Sequence, residues 1–208
     1  MTLHNDQLQE ITRSTIGHYD RQAIDFWHGT RDHDVSQNID ALLRHLPQPA
    51  PCQILELGCG PGRDLKVLRE HGHVPVGLDG AAAFCEMARE YSGCEVWLQD
   101  FLALQLPGDF FHGIYANASL FHVPRQELPR VLGQLAASLV DDGILFSSNP
   151  RGPDMEGWNG DRYGSYHTLE TWRSFMQEAG FCELEHYFRP PGRPREEQPW
   201  LAMVWRKD

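Results

Sequence analysis

No apolar run in this 208-residue chain approaches the roughly 20 residues needed to cross a bilayer, which excludes a membrane span as a reading of the sequence. The opening residues, MTLHNDQLQEITRS, carry neither a basic start nor an apolar stretch, so no secretory leader is expected. Positive charge is scarce. Lys and Arg number 18 against 29 Asp and Glu, a formal net charge of -11. That balance disfavours electrostatic capture of nucleic acid or an anionic membrane and leaves a small molecule as the easier partner. The five cysteines, Cys52, Cys59, Cys85, Cys94 and Cys182, form no CxxC pair. Their scatter argues against a disulfide framework or a zinc site and reads as reduced thiols in a cytoplasmic protein. The histidines form no HxxxH pair, so no metal site is expected. Internal repeats and low-complexity tracts are missing too.

What is present is an alternation. From Cys52 onward, short apolar runs alternate with amphipathic stretches of helix length. CQILEL, HVPVGLD, CEVWLQD, FHGIYAN and ILFSSN read as strands. RDLKVLREHG, AAAFCEMAREY and PRQELPRVLGQLAASL read as helices, the last opened by Pro124 with Pro129 in its first turns or kinking it. TLETWRSFMQEAG is a further helix, with Thr168 as its cap and Gly180 at its end. FCELEHYF and WLAMVWRK follow with only the proline-rich RPPGRPREEQP between them, which predicts an antiparallel hairpin. The expected fold is therefore α/β, a doubly wound, Rossmann-like, seven-stranded and mostly parallel sheet with an antiparallel C-terminal hairpin and helices on both faces. Residues 3–27 and 37–46 look helical and too short for a core of their own. The expectation is one domain over 1–208, with 1–46 as a helical cap or lid and 52–206 as the core.

The turn after the first strand, ILELGCGPGRD, contains three glycines. A dinucleotide fingerprint wants G-x-G-x-x-G, but counting from Gly58 and Gly60 the third place is Arg63. No G-x-x-x-x-G-K-[ST] occurs, so a P-loop is excluded. Glu56, an anion just before the turn, would repel a pyrophosphate and suits a ligand that presents a cation. Asp79 closes the second strand, about 20 residues beyond the first glycine, where an acid meets ribose hydroxyls in this architecture. Asp100, followed by Phe101, closes the third, where a carboxylate can accept an adenine amino hydrogen. Together these acids describe an adenosine without phosphates and with a cationic tail.

The stretches ELGCGPG (56–62), GLD (77–79), QDF (99–101) and YANASLFHVP (115–124) occur in an order and spacing that resembles the class I S-adenosylmethionine-dependent methyltransferases, in particular a bacterial subgroup acting on small molecules. The resemblance runs from Ile54 to Trp205 and implies S-adenosyl-L-methionine as cofactor and S-adenosyl-L-homocysteine as product. By position it implies a cofactor site of Tyr19, Glu56, Gly58, Cys59, Gly60, Gly62, Arg63, Asp79, Gly80, Asp100, Phe101, Asn117 and Ala118. Within it Arg63, in a GPGR variant shared with tellurite-resistance-type methyltransferases, would pair with the methionine carboxylate.

On the acceptor side the candidates are His122, Tyr163 and Tyr166. In DRYGSYH (161–167) Arg162, Tyr163 and Tyr166 match the subgroup's pattern, and Gly164 and His167 depart from it. Each candidate also has a plainer reading: His122 as a local hydrogen-bonding group, Tyr19 and Trp27 as core packing, Cys59 as a small apolar residue, the two tyrosines as loop braces. The expected activity is methyl transfer to a small molecule, with a thiol or other chalcogen as one acceptor, by a monomer or homodimer. Methylation of a tRNA base and a non-catalytic S-adenosylmethionine-binding module are the alternatives.

Overall fold

The computed structural model describes residues 2–48 and 50–208; Met1, the first residue of the expected cap, and Pro49 lie outside them. Three helices come first: α1 (Asn5–Arg21), α2 (Ala23–Thr30) and α3 (Ser36–Leu43). There follow β1 (Gln53–Leu57), α4 (Arg63–Glu70), β2 (Val74–Asp79), α5 (Ala82–Ser92), β3 (Glu95–Leu98), β4 (Phe111–Asn117), α6 (Leu128–Ser138) and β5 (Leu139–Pro150). The chain ends with β6 (Met155–Asn159), β7 (Arg162–Tyr166), α7 (Leu169–Glu178), β8 (Phe181–Arg189) and β9 (Trp200–Lys207). The large sheet has seven strands in the order β3-β2-β1-β4-β5-β9-β8. Its first five strands run parallel, and β9 enters antiparallel between β5 and β8, as the hairpin reading predicts. No helix among the described residues is long and apolar enough to cross a membrane.

Burial explains why the central strands read as nearly continuous apolar runs. Leu55 and Leu57 of β1 join the core under α6 and α7, with Leu132, Leu135, Trp172 and Trp205. Ile54, one residue out of phase, joins the opposite core with Leu42 of α3, Tyr115 and Phe146. Glu56 alternates onto that second face, with Tyr115 as its register partner on β4. The outer strand β8 is buried only at Phe181 and then alternates between exposed and half-buried residues, as befits an edge.

Three local expectations are corrected. The stretch DRYGSYH, whose tyrosines were read as loop braces, belongs instead to the β6–β7 hairpin, closed at Gly160 (φ +61°) and braced by the Trp158 and Tyr163 rings across the strands. The hairpin's two-residue loop is Gly160-Asp161, with glycine at the first position, where the left-handed φ falls. The helix expected from Pro124 begins at Leu128, after a 3-10 turn at Arg125–Glu127; a proline nitrogen has no hydrogen to donate, and Pro129 is accommodated in the first turn. The N-terminal helix is broken at Gln22 (φ -104°, ψ 12°) into α1 and α2.

Gly62 shows how tightly the first loop is packed. It sits at φ +88°, and a Cβ there would lie 2.8 Å from Ala88 Cα of α5. Gly72 has a similar φ of +85° but open space around it. Gly62→Ala is expected to cost more than about 2 kcal/mol, strain and steric conflict together, and Gly72→Ala about 1 kcal/mol from strain alone. Urea unfolding of the two variants measures this; equal costs would contradict the packing role given to Gly62.

Candidate active site

The site is built on the ends of β1, β2 and β4, where the sheet order reverses direction. Gly58 and Cys59 both donate their N–H groups to the Leu78 carbonyl, at 2.7 and 3.1 Å, which straps the glycine turn to the end of β2. Asp79 then locks it. One carboxylate oxygen accepts from Gly60 N–H and the other from Ala81 N–H, both at 2.9 Å. Burial pushes this carboxyl up to about 6 in spite of those bonds. Gly58 and Gly60 take φ of +76° and +51°, so the turn can fold back sharply. A Cβ on Gly58 would meet Ser119 Cβ at 2.4 Å.

Glu56 lies beneath this turn, 4% exposed, and its Oε2 has no hydrogen-bond partner. Burial, and next the nearby Asp64, raise its carboxyl well above the usual range. An isolated buried acid is costly, and a cationic group above it would offset that cost. Further along, Asp100 Oδ1 accepts from Leu102 N–H at 2.8 Å and caps the short turn that begins at Phe101. Ala118, after β4, holds the left-handed conformation (φ +60°) and donates its N–H to Ser148 O at 2.7 Å. A non-glycine residue in that region is strained, and such strain concentrates at binding sites.

A cavity of about 640 Å³ runs over these groups. Of the residues proposed from sequence, all but Gly62, Tyr163 and Tyr166 line it. Gly62 faces α5, as described above. Tyr163 is buried, its N–H donating to Thr15 Oγ1, and its carbonyl is what approaches the site. Tyr166 stands behind Phe121, with ring centroids 6.1 Å apart. Cys59 is buried with Leu65, Cys85, Ala88 and Val96, and burial pushes its thiol well above the ordinary range, the condition of a packing residue. Arg63 differs from its expected role. Its guanidinium grips its neighbour Asp64 through Nε (2.6 Å) and Nη2 (3.0 Å), and Nη1 donates to the Thr30 carbonyl at the end of α2 (2.7 Å). These donors hold the cap to the glycine turn.

Sequence reasoning missed part of the cavity wall. Phe26 of α2 and Phe84 of α5 pack against Tyr19, at 5.7 and 5.6 Å, and against each other at 5.1 Å. Their apolar positions on amphipathic helices were visible, but nothing in the sequence distinguished them from core. The buried chain Tyr187–Asn38–Asn117–Asp64 was also missed, because its members lie on four separate elements.

His122 is enclosed. Its Nδ1 lies 2.7 Å from the Tyr163 carbonyl, which can only accept, so Nδ1 carries the hydrogen and Nε2 accepts from the Tyr19 hydroxyl at 2.8 Å. Burial lowers its pKa from 6.5 to about 4. The unfolded chain therefore binds more protons here than the folded one between those values, so stability rises with pH across that window and is lost as pH falls through it. The advantage of the wild type over His122→Asn is expected to grow by roughly 3 kcal/mol from pH 4 to 6.5. Asp79 contributes an opposite slope, common to both proteins, so the difference isolates His122. A gap that stays constant in urea titrations across this range would contradict the assignment.

The residues present fit an adenosyl sulfonium: a partnerless buried acid, two further acids at successive strand ends and, among the described residues, no arginine or lysine free to hold a diphosphate at the turn. Comparison with known proteins agrees. A family described as a methyltransferase domain matches residues 26–187. The chain is 34% identical over 113 residues to a trans-aconitate 2-methyltransferase of Paracidovorax citrulli, a match covering 52% of this chain and 43% of that one. It thus spans less than half the length of that relative. An uncharacterized methyltransferase of Anoxybacillus flavithermus is 27% identical over 169 residues, 80% of this chain and 76% of the other. Among solved structures, the 1,6-didemethyltoxoflavin-N1-methyltransferase of Burkholderia thailandensis, with 1,6-didemethyltoxoflavin and S-adenosylhomocysteine bound, superposes with a TM-score of 0.78 at 20% identity, over 100% of this chain and 92% of that one. At that identity the likeness concerns the fold. The chain belongs to the class I S-adenosylmethionine-dependent methyltransferases.

Proposed function

We propose that this protein transfers the methyl group of S-adenosylmethionine to a small-molecule acceptor, as one catalytic unit with residues 1–46 serving as its cap. The observation that carries the reading is the partnerless carboxyl of Glu56 in line with Asp79 and Asp100 along one cavity. Bound there, the cofactor supplies an electrophilic methyl on a positively charged sulfur. Asp79, its oxygens each holding one backbone N–H, keeps lone pairs for the ribose hydroxyls. Asp100 has its second oxygen for an adenine amino group. Glu56 ionises toward the ammonium. Tyr19, Phe26 and Phe84 exclude water and offer ring faces to the cation.

Because the Tyr19 hydrogen points to His122, its oxygen is left to accept, and Arg162 Nη1 already approaches it at 3.5 Å, so an acceptor reaching Tyr19 meets this pair together. An acceptor that is already anionic needs no base, since transfer then depends mainly on alignment. Relatives named for trans-aconitate and 1,6-didemethyltoxoflavin support an acceptor of small size. The acidic surface supports the same reading over a polymer of phosphates. The finer reading, a thiol or other chalcogen, rests on the resemblance of the GPGR turn alone.

Calorimetric titration with S-adenosylhomocysteine tests the cofactor site. Asp79→Ala is expected to weaken binding at least tenfold, because it removes the ribose partner and frees Gly60 N–H. Undiminished affinity, or no binding by the wild type, would overturn the proposal. Transfer of labelled methyl from S-adenosylmethionine to a panel of thiols, selenols and organic acids then identifies the acceptor.

A further inference from the structure

Arg189 is the last residue of β8, on the same edge of the sheet as the glycine turn. It pairs across the sheet with Trp200 of β9, which pairs in turn with Pro150 of β5. Arg189 and Trp200 both line the cavity. The guanidinium donates through Nη2 to the Asp34 carbonyl, in the link between α2 and α3, at 2.9 Å. Its Nε is buried and has no partner. Among the described residues no carboxylate lies within ion-pair distance of it; the Asp34 carboxylate is occupied instead by Ser36 N–H at 2.9 Å. A guanidinium in a cavity wall with no ion pair and a buried, unused Nε–H, its charge felt by the Asp34 carboxylate only from outside ion-pair distance, leaves a donor that an anionic ligand would satisfy.

Position decides which ligand. The cofactor site lies between β1 and β4, and Arg189 stands three strands beyond β4, a lateral offset of about 14 Å at ordinary strand spacing. That places it on the acceptor side, past Ser148 at the end of β5, which is buried and also lines the cavity. A single guanidinium suits a monoanion better than a phosphate dianion. We infer that Arg189 is a specificity-determining residue that receives a carboxylate of the methyl acceptor, with Trp200 as the apolar wall beside the acceptor's body. The acceptor is accordingly a small organic acid or amino acid. This rests on the methyltransferase reading only in naming the ligand an acceptor.

The test uses pairs of compounds of which one carries free carboxylate and the other carries none. L-Cysteine and cysteamine, succinate and succinamide, and trans-aconitate and its trimethyl ester are titrated calorimetrically into the S-adenosylhomocysteine-loaded protein, with inorganic phosphate alongside. At least one carboxylate is expected to bind tenfold or more tightly than its uncharged or decarboxylated counterpart. Arg189→Gln removes that preference, and Arg189→Lys keeps part of it. Both variants retain affinity for S-adenosylhomocysteine and for 5′-methylthioadenosine within twofold, which also reports an intact fold. The inference is overturned if no carboxylate is preferred, if the preference survives Arg189→Gln, or if phosphate binds better than every carboxylate. It is overturned too if Arg189→Gln weakens S-adenosylhomocysteine but not 5′-methylthioadenosine, since Arg189 would then hold the cofactor's own carboxylate. If S-adenosylhomocysteine fails to bind the wild type, the methyltransferase reading fails, and the same titrations on the protein alone still decide whether Arg189 selects carboxylates.

Discussion

The carboxylate of Asp79 is buried at the end of β2, and its two oxygens receive Gly60 N–H from one loop and Ala81 N–H from the start of α5. That pair of bonds sets the distance between the first and second strand ends and the curvature of the glycine turn. The turn in turn sets where α4 begins, because Gly62 is its N-terminal cap and lies against Ala88 of α5. Arg63, the first residue of α4, then ties the cap helix α2 to the same turn through Thr30. A chain of short contacts thus runs from one carboxylate to the loop, to the helix and to the cap.

The electrostatics of the cavity follow from where the acids lie. Burial raises both Glu56 and Asp79, and Glu56 lacks a partner for one oxygen. In a fold selected only for stability, an apolar side chain at position 56 would pack against Tyr115 without that penalty. The acids make sense as groups whose ionised forms are restored by a bound cation. Arg63, the guanidinium on the glycine turn itself, is engaged by Asp64 and leaves the field above Glu56 negative.

The far end of the cavity, where the acceptor is proposed to sit, is built differently. Tyr19, Phe26 and Phe84 wall off the middle of the cavity, and His122 is held neutral by burial between Tyr19 and the Tyr163 carbonyl. The lining turns positive at Arg162, beside Tyr19, and again at Arg189. The β6–β7 hairpin lines this end through Arg162 and otherwise shapes it from behind: Tyr163 acts through its backbone, and the hairpin is fastened to α1 by Thr15 and Ser14.

Much of this architecture was legible in the sequence by itself. Strand and helix periodicity, the glycines at 58 and 60, and acids at the ends of three successive apolar runs determined the sheet, its hairpin and the chemistry of the cofactor end, because each is a local pattern read along one element. Tertiary structure alone decided the rest. Whether Arg63 faces a ligand or Asp64, whether His122 is free or enclosed, and that Arg189 and Asp34, 155 positions apart, meet at one wall depend on how separate elements pack. A side chain's partner across the fold leaves no periodic trace in its own segment, and for that reason the acceptor end emerged only from the packed molecule.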